Sequence, residues 1–162
     1  MKQLTPDQLQ RPELSEYKAA EKMPVCVILD NLRSGLNVGA IFRTCDAFSV
    51  EAIYLCGITV HPPHAEILKT ALGATESVAW KSFPDTLSAL DELLASGYTI
   101  LPVEQTDHAI NLDQINLTEL FPIALIFGNE MRGVDPEVLK RCQQSIERSE
   151  EHTSELQSRG LI

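Results

Sequence analysis

The sequence has no long apolar run, and this absence excludes a membrane span. Its longest apolar segments, such as 25–29 and 123–127, contain five residues, whereas a helix that crosses a bilayer needs about 18. The stretch 1–14 also lacks the apolar centre of a secretory signal peptide. We therefore expect a cytoplasmic protein without a membrane partner.

Paired cysteines are absent as well. The four cysteines lie far apart, without a Cys-x-x-Cys pair or a histidine at zinc-ligand spacing; they are Cys26, Cys45, Cys56 and Cys142. We expect four reduced and mostly buried thiols. Two prolines separate His61 from His64, which prevents a helix from presenting both rings to one metal. We therefore expect a turn there and no metal site.

Basic residues are few. The chain has 13 Lys and Arg against 23 Asp and Glu, for a net charge of −10, which alone disfavours a general nucleic-acid binder. Seven of the acids lie in segment 85–119, which contains no Lys or Arg. The basic residues in or beside glycine-containing segments are Arg33, Arg43, Lys69 and Arg132. A local basic site on an acidic body therefore remains open.

The rest of the composition is that of a globular protein. The 162 residues are 44% hydrophobic and 22% charged, enough for one domain with its own core. The patterns predict helices over 6–20, 38–48, 64–74 and 86–95, a further helix from 136, and strands over 25–30, 52–57, 77–80, 98–103 and 123–128. This alternation predicts an α/β fold with a mainly parallel sheet flanked by helices.

Segment 29–48 is the first candidate for a functional loop. A predicted buried strand ends there and is followed by Gly35, Asn37, Gly39 and Arg43. We expect the glycines to let a ligand approach the backbone, Asn37 to cap the next helix, and Arg43 to face the same ligand as Asn37. The spacing alone leaves open a nucleotide, a phosphate or no ligand.

Segment 123–139 is the second candidate. Its apolar strand runs into a loop where Glu130 and Arg132 lie between Gly128 and Gly133. An acid and an arginine at the end of a buried strand are hard to explain by packing, and such positions commonly meet ligands. A helix should follow the loop, with Pro136 at its first position.

Together, the two segments resemble the SpoU (TrmH) family of RNA ribose 2′-O-methyltransferases, which belongs to the SPOUT class. The family's first motif, an Asn-x-Gly with an Arg four residues further on, is matched by Asn37, Gly39 and Arg43. Its second motif, Gly-Asn-Glu-x-x-Gly, is matched by Gly128, Asn129, Glu130 and Gly133. Segments 69–78 and 100–106 also resemble the family.

The resemblance implies a SPOUT trefoil-knot fold, S-adenosyl-L-methionine as cofactor, RNA as substrate with tRNA favoured over rRNA, and a homodimer. It implies that Asn37, Arg43 and Glu130 are catalytic, that Val103 and Gly128 lie against the cofactor, and that Arg33, Arg43 and Arg132 contact RNA. Under this interpretation Asn37 orients Arg43 or the ribose, and Glu130 holds these groups together. A simple ion pair of Glu130 with Arg33 or Arg132 is the alternative.

The chain departs from the family after residue 147. The family continues with a third motif, Ser-Leu-Asn-Val-Ser, and a helix, whereas Arg148–Ser158 resemble translated sequencing-adapter DNA. We therefore expect an N-terminal helical extension at 1–23, an incomplete methyltransferase domain at 24–147 and a non-native tail at 148–162. The C-terminal knot segment would then be missing or replaced, and the chain inactive.

Two other functions are open to the same sequence. A non-catalytic RNA- or nucleotide-binding relative of the same fold agrees with the acidic charge, but Asn37, Arg43 and Glu130 speak against it. A Rossmann dehydrogenase is disfavoured because no Gly-x-Gly-x-x-Gly follows the first strand.

Overall fold

The computed structural model describes residues 13–147. The helices are α1 (Leu14–Ala19), α2 (Gly35–Ala47), α3 (Ala65–Ala71), α4 (Ala74–Ser77), α5 (Thr86–Ala95) and α6 (Pro136–Leu139), with a 3-10 helix at Leu117–Glu119. The strands are β1 (Met23–Asp30), β2 (Val50–Cys56), β3 (Ala79–Phe83), β4 (Thr99–Pro102), β5 (Ala109–Asn111), β6 (Ile123–Phe127) and β7 (Ser145–Glu147).

Five of the strands form one parallel sheet, which confirms the predicted α/β fold. Their order is β3-β2-β1-β6-β4, and β5 pairs with β7 in a separate parallel ribbon. The central strand, β1, is buried from Val25 to Asp30, which explains its uninterrupted apolar sequence. Since the strands are parallel, they all end at one edge of the sheet, which we call the carboxyl edge.

Helices cover both faces of the sheet, and each face has its own core. One core includes Leu29, Phe42 and Ile67 and lies under α2 and α3. The other includes Ile28 and Leu90 and lies on the face covered by α5. Adjacent residues of β1 thus point into opposite cores, as strand geometry requires.

The structure corrects several predicted boundaries. β3 spans Ala79–Phe83 instead of 77–80, because Ala74–Ser77 form the short helix α4. The Ser77 hydroxyl in α4 donates to Asp46 Oδ1 of α2, which holds it out of the strand. The strands β5 and β7 were not predicted. Of the predicted N-terminal helix, Leu14–Ala19 is present, whereas its start and the expected tail at 148–162 lie outside the described residues.

The described cysteines are free and mostly buried, as predicted, and His64 has a local role. All four cysteines are free, and burial raises the pKa of the Cys45 and Cys56 thiols to about 12. His64 caps α3 by accepting from Glu66 N at 3.3 Å. Between residues 13 and 147, no group of three His, Cys, Asp or Glu is arranged to hold a metal ion. No helix in the same range has the length and apolar character needed to cross a membrane.

Candidate functional site

The two candidate loops meet at the carboxyl edge. Residues 25–29 of β1 pair in register with residues 123–127 of β6. Because neighbouring parallel strands end side by side, the loop after β1 and the loop after β6 lie next to each other. The sequence separates these loops by almost the whole domain, and the sheet brings them together.

Glu130 joins the two loops. Its Oε1 accepts a hydrogen bond from Ser34 N at 3.2 Å and from Asn37 Nδ2 at 3.4 Å. The Glu130 backbone N–H, the N–H groups of Ser34 and Arg33, and the Asn37 amide hold the pKa of this carboxyl below its usual value. Among the described residues Glu130 forms no ion pair, so the simple pairing with Arg33 or Arg132 is not present.

The start of α2 explains why Asn37 is available to Glu130. The helix begins at Gly35, and its N-cap is Ser34, whose Oγ accepts from Asn37 N at 3.2 Å. The prediction that Asn37 is the cap was therefore wrong. Both residue types cap helices well, and the helix begins earlier than its apolar pattern indicates. The Asn37 side chain is consequently free to reach across to Glu130.

The two glycines of the first candidate segment, Gly35 and Gly39, serve helix packing. A Cβ on Gly39 would lie 2.1 Å from Thr70 Oγ1 and 2.4 Å from the Ile67 carbonyl oxygen. A Cβ on Gly35 would lie 2.8 Å from Glu66 Cβ. These glycines therefore allow α2 to approach α3 closely, and the expectation that they bring backbone to a ligand was wrong.

Arg43 does not join Asn37 and Glu130 in the described chain. Its side chain is 54% exposed, and Nη1 lies 3.8 Å from Asp46 Oδ2 one turn further along α2. The step from Asn37 to Arg43 advances about 9 Å along the helix and rotates by about 240°. The two side chains consequently leave the helix in different directions, contrary to the expectation that they face one ligand.

The second motif is a closed loop. Asn129 N donates to Gly133 O at 2.9 Å, and Gly133 N donates back to Asn129 O at 2.8 Å. A Cβ on Gly128 would lie 2.1 Å from the Gly133 carbonyl carbon, and Gly133 itself has a φ of 70°. Glu104 braces the loop by accepting from Val134 N at 3.0 Å. The loop's own closure thus requires both glycines.

Asp30 is a structural centre of the site that the sequence analysis did not single out. This aspartate is 1% exposed, yet both carboxylate oxygens are used. Oδ1 accepts from Thr86 Oγ1 at 2.6 Å and from Asn31 Nδ2 at 2.8 Å, while Oδ2 accepts from Asp135 N at 2.9 Å. Asp30 thereby ties the end of β1 to the starts of α5 and α6. The sequence feature that could have identified Asp30 is an acidic residue at the end of an apolar strand.

A groove of about 740 Å³ opens beside Glu130. We call it the Arg33–Arg132 groove, since both arginines line it together with Ile58 and residues 129–133. Residues 13–147 contain four arginines, of which Arg43 and Arg141 each pair with a carboxylate. Within that range Arg33 and Arg132 have no such partner. The structure thus brings two of the three predicted RNA-binding arginines to one groove.

A second hollow, of about 390 Å³, lies beside the end of β4 and is lined in part by Pro102, Thr106, Leu139 and Ser145. We call it the Thr106–Ser145 hollow; the two hydroxyl oxygens lie 2.8 Å apart. Val103 is adjacent and donates from its N–H to Ile126 O at 2.9 Å. The lining also includes charged and amide side chains, so the hollow mixes apolar and polar surface, as sites for small organic ligands do.

Comparisons with known proteins agree on one family. A sequence model of the SpoU rRNA methylase family matches residues 24–154. The chain is 28% identical over 131 residues to a mitochondrial rRNA methyltransferase 1 of Dictyostelium discoideum, covering 78% of this chain and 24% of that protein. It is 27% identical over 139 residues to a tRNA (guanosine(18)-2′-O)-methyltransferase of Aquifex aeolicus, covering 82% of this chain and 62% of that protein.

The fold has solved counterparts. A structure of an AdoMet-bound rRNA methyltransferase from Sinorhizobium meliloti superposes with a TM-score of 0.73 at 21% identity. The alignment covers 83% of this chain and 51% of that one. The chain therefore spans only part of the length of these proteins.

Proposed function

Because the chain belongs to the SpoU rRNA methylase family, we propose that it takes part in methyl transfer from S-adenosylmethionine to a ribose 2′-hydroxyl of RNA. The observation that carries this proposal is the contact of Glu130 with Ser34 N and Asn37 Nδ2, which joins two motifs at the carboxyl edge. The activity named for the Aquifex aeolicus relative, tRNA guanosine 2′-O-methylation, supports a ribose target and favours tRNA. The bound AdoMet of the Sinorhizobium meliloti structure supports the cofactor.

When bound, S-adenosylmethionine would supply a methyl group on a positively charged sulfur, which would leave as a neutral thioether as the ribose oxygen takes the methyl group. The ribose 2′-hydroxyl would lose its proton to water during the attack. We assign Arg43 to the neighbouring phosphate and to the negative charge that develops on the ribose oxygen. A guanidinium stays protonated in proteins, so Arg43 is not the base.

Glu130 and Asn37 have positioning roles in this proposal. The Glu130 carboxylate accepts from Ser34 N and Asn37 Nδ2, which favours its ionised form, and it fixes the Asn37 amide at the start of α2. This amide is then placed to orient the ribose. Arg43, whose exposed side chain pairs loosely with the half-buried Asp46 carboxylate at 3.8 Å, must leave that contact to reach RNA. A long ion pair with one exposed partner is weak, so the exchange costs little.

The cofactor would lie where β4 and β6 end. Val103 and Gly128 follow these neighbouring strands, and the Thr106–Ser145 hollow offers apolar surface and hydroxyl groups beside Val103. These residues suit a nucleoside, which presents a flat apolar base and polar ribose hydroxyls. We propose that they hold the adenosine part of the cofactor.

We also propose a homodimer. Three leucines in α2, in α3 and directly after α3 are exposed: Leu36, Leu68 and Leu72. The two helices are in contact, because Thr70 Oγ1 of α3 donates to Leu36 O of α2 at 2.9 Å. A second copy would cover this apolar surface. Sedimentation velocity over a range of concentrations tests the association, which Leu68→Glu should weaken.

The test of the function is methyl transfer from labelled cofactor to unmodified tRNA and rRNA. It uses two proteins: the 162-residue chain, which we expect to be inactive, and a chain whose residues 148–162 are replaced by the third motif and helix of a family member. We expect the second protein to label RNA, with tRNA preferred. Alkaline hydrolysis identifies the target, because a methylated 2′-oxygen protects its phosphodiester from cleavage. Labelled bases, or no label from either protein, would contradict the proposal.

A further inference from the structure

The Arg33–Arg132 groove combines unpaired arginines with exposed apolar side chains. Met131 is 90% exposed and Ile58 is 56% exposed, and both line this groove. Apolar side chains exposed together in a groove mark a binding site more often than single exposed ones do. The methyl-transfer mechanism uses neither of these two side chains.

A continuous set of hydrogen bonds fixes the two apolar residues relative to each other. Ile58 N donates to Asn31 Oδ1 at 3.1 Å, and Asn129 Nδ2 donates to Asn31 O at 2.8 Å. Met131 N in turn donates to Asn129 Oδ1 at 3.0 Å. The backbones that carry Ile58 and Met131 are therefore linked through two asparagines, and the two side chains are presented together.

The acids that line the groove are occupied by the protein. Asp30 accepts three hydrogen bonds, Asp135 Oδ1 accepts from Glu137 N at 2.8 Å, and Glu130 accepts from Ser34 and Asn37. Within residues 13–147, neither Arg33 nor Arg132 has a carboxylate partner. The guanidinium groups are available to an anion from outside the chain, which would enter a groove that three carboxylates also line.

We propose that the Arg33–Arg132 groove binds an unpaired nucleotide of the RNA, next to the methylated one, with its phosphate on the arginines and its base against Ile58 and Met131. This inference rests on the proposed function. A base offers its flat faces to a protein only when it is unpaired and unstacked. The flexible Met131 side chain adapts to different bases, and the groove volume of about 740 Å³ lies within the range of small-ligand sites. The groove therefore selects single-stranded or looped RNA over a regular duplex.

The experiment measures binding of the 162-residue chain to a fluorescein-labelled single-stranded RNA and to the same strand in a duplex, by fluorescence anisotropy. We expect tighter binding of the single strand. Met131→Ser and Ile58→Ser should each weaken binding of the single strand by about fivefold. This loss corresponds to the burial of roughly one methylene group or slightly more. Arg132→Gln should instead lower the slope of log affinity against log salt by about 0.7.

Leu94→Ser is the matched control. Leu94 is 44% exposed, and it lies near the end of α5, which runs back from the carboxyl edge to the opposite edge of the sheet. This substitution should leave RNA binding unchanged. Met131→Leu should retain binding, because it keeps the apolar surface. Thermal unfolding midpoints close to that of the parent chain show that the serine variants are folded.

The proposal is overturned if Met131→Ser and Ile58→Ser bind the single strand as tightly as the parent does. It is also overturned if the parent binds the duplex equally well, or binds neither RNA at micromolar concentrations. The methyl-transfer assay decides the proposed function separately. If RNA is methylated but the serine variants bind it as tightly as the parent does, the groove proposal alone is refuted. If the serine substitutions weaken RNA binding but neither protein methylates RNA, the proposed enzyme activity alone is refuted.

Discussion

Asn37 and Glu130 lie 93 residues apart in the chain, and the Asn37 side-chain amide donates to the Glu130 carboxylate across 3.4 Å. The same carboxylate oxygen accepts from the backbone at the start of α2. One side chain of the second motif therefore sets the position of the first. A change at Glu130 should consequently alter the position of every group that α2 presents to RNA.

Replacement of Glu130 by glutamine tests this coupling. In Glu130→Gln the charge is lost, and the amide must turn its oxygen to the two donors. We expect methyl transfer by the chain with a family third motif to fall by about 100-fold. Because Glu130 is exposed, the free energy of unfolding should change by no more than about 0.5 kcal/mol.

Glu119→Gln is the control for this variant. Glu119 is another exposed carboxylate, and it accepts from the Asn116 side-chain amide at 2.7 Å, but it lies outside the site. Its replacement should leave the rate within about twofold. If Glu130→Gln unfolds the protein, or if both variants are equally active, the positioning role of Glu130 is refuted.

The pKa of Glu130 predicts a pH dependence. Hydrogen bonds to the ionised carboxylate lower this pKa from its usual 4.5. The contribution of these bonds to stability is therefore fully present above pH 4.5 and is lost as the pH falls through the lower pKa of the folded state. The difference in thermal midpoint between the parent and Glu130→Gln should stay constant between about pH 7 and about pH 5 and should shrink as the pH falls further. A difference that stays the same well below pH 4.5 would show that the pKa is not lowered.

Asp30→Asn should destabilise the fold. The Asp30 carboxylate uses both oxygens as acceptors, whereas an amide has one acceptor oxygen and turns an NH2 group towards one of the donors. We expect a loss of about 1–3 kcal/mol in the free energy of unfolding, measured by urea denaturation. Asp107→Asn, at a side chain that is 89% exposed, should have no measurable effect. Equal stability of the Asp30→Asn variant and the parent would contradict the assignment.

Gly39→Ala reverses a general rule. In a helix interior this change usually stabilises by about 1 kcal/mol, but here the new Cβ would lie 2.4 Å from the Ile67 carbonyl oxygen. We expect destabilisation by about 1–3 kcal/mol, since backbone atoms have to move. Ala40→Gly at the exposed neighbouring position should cost about 1 kcal/mol from helix propensity alone. A more stable Gly39→Ala variant would show that α2 and α3 separate easily.

Sequence patterns predicted the strands that are buried along most of their length. β1 and β6 are buried strands with uninterrupted apolar sequences, and both were found close to their predicted positions. β5 and β7 have three residues each, which is too short for a detectable alternation. Their pairing depends on contacts between distant parts of the chain, so local sequence does not encode it.

The site was predictable as a pair of loops but not as a set of contacts. Motif spacing identified Asn37 and Glu130, and the sheet then brought them together. Motif spacing did not reveal that Gly39 faces Ile67, because this contact depends on which helix packs opposite α2. The predicted direction of Arg43 was also wrong, because six residues of α2 rotate its side chain by about 240° from that of Asn37.

The position of β6 between β1 and β4 has a consequence for synthesis on the ribosome. The chain makes β1 first, then builds outwards through β2 and β3, and places β4 where its sole partner in the large sheet is β6. Until residues 123–127 have emerged, one edge of the central strand is open and β4 has no neighbour. We expect nascent chains stalled before residue 123 to be cleaved rapidly by protease, and chains stalled well beyond residue 147 to resist it. A strand made late thus closes the gap that the earlier strands leave, and the sheet becomes cooperative only near the end of translation.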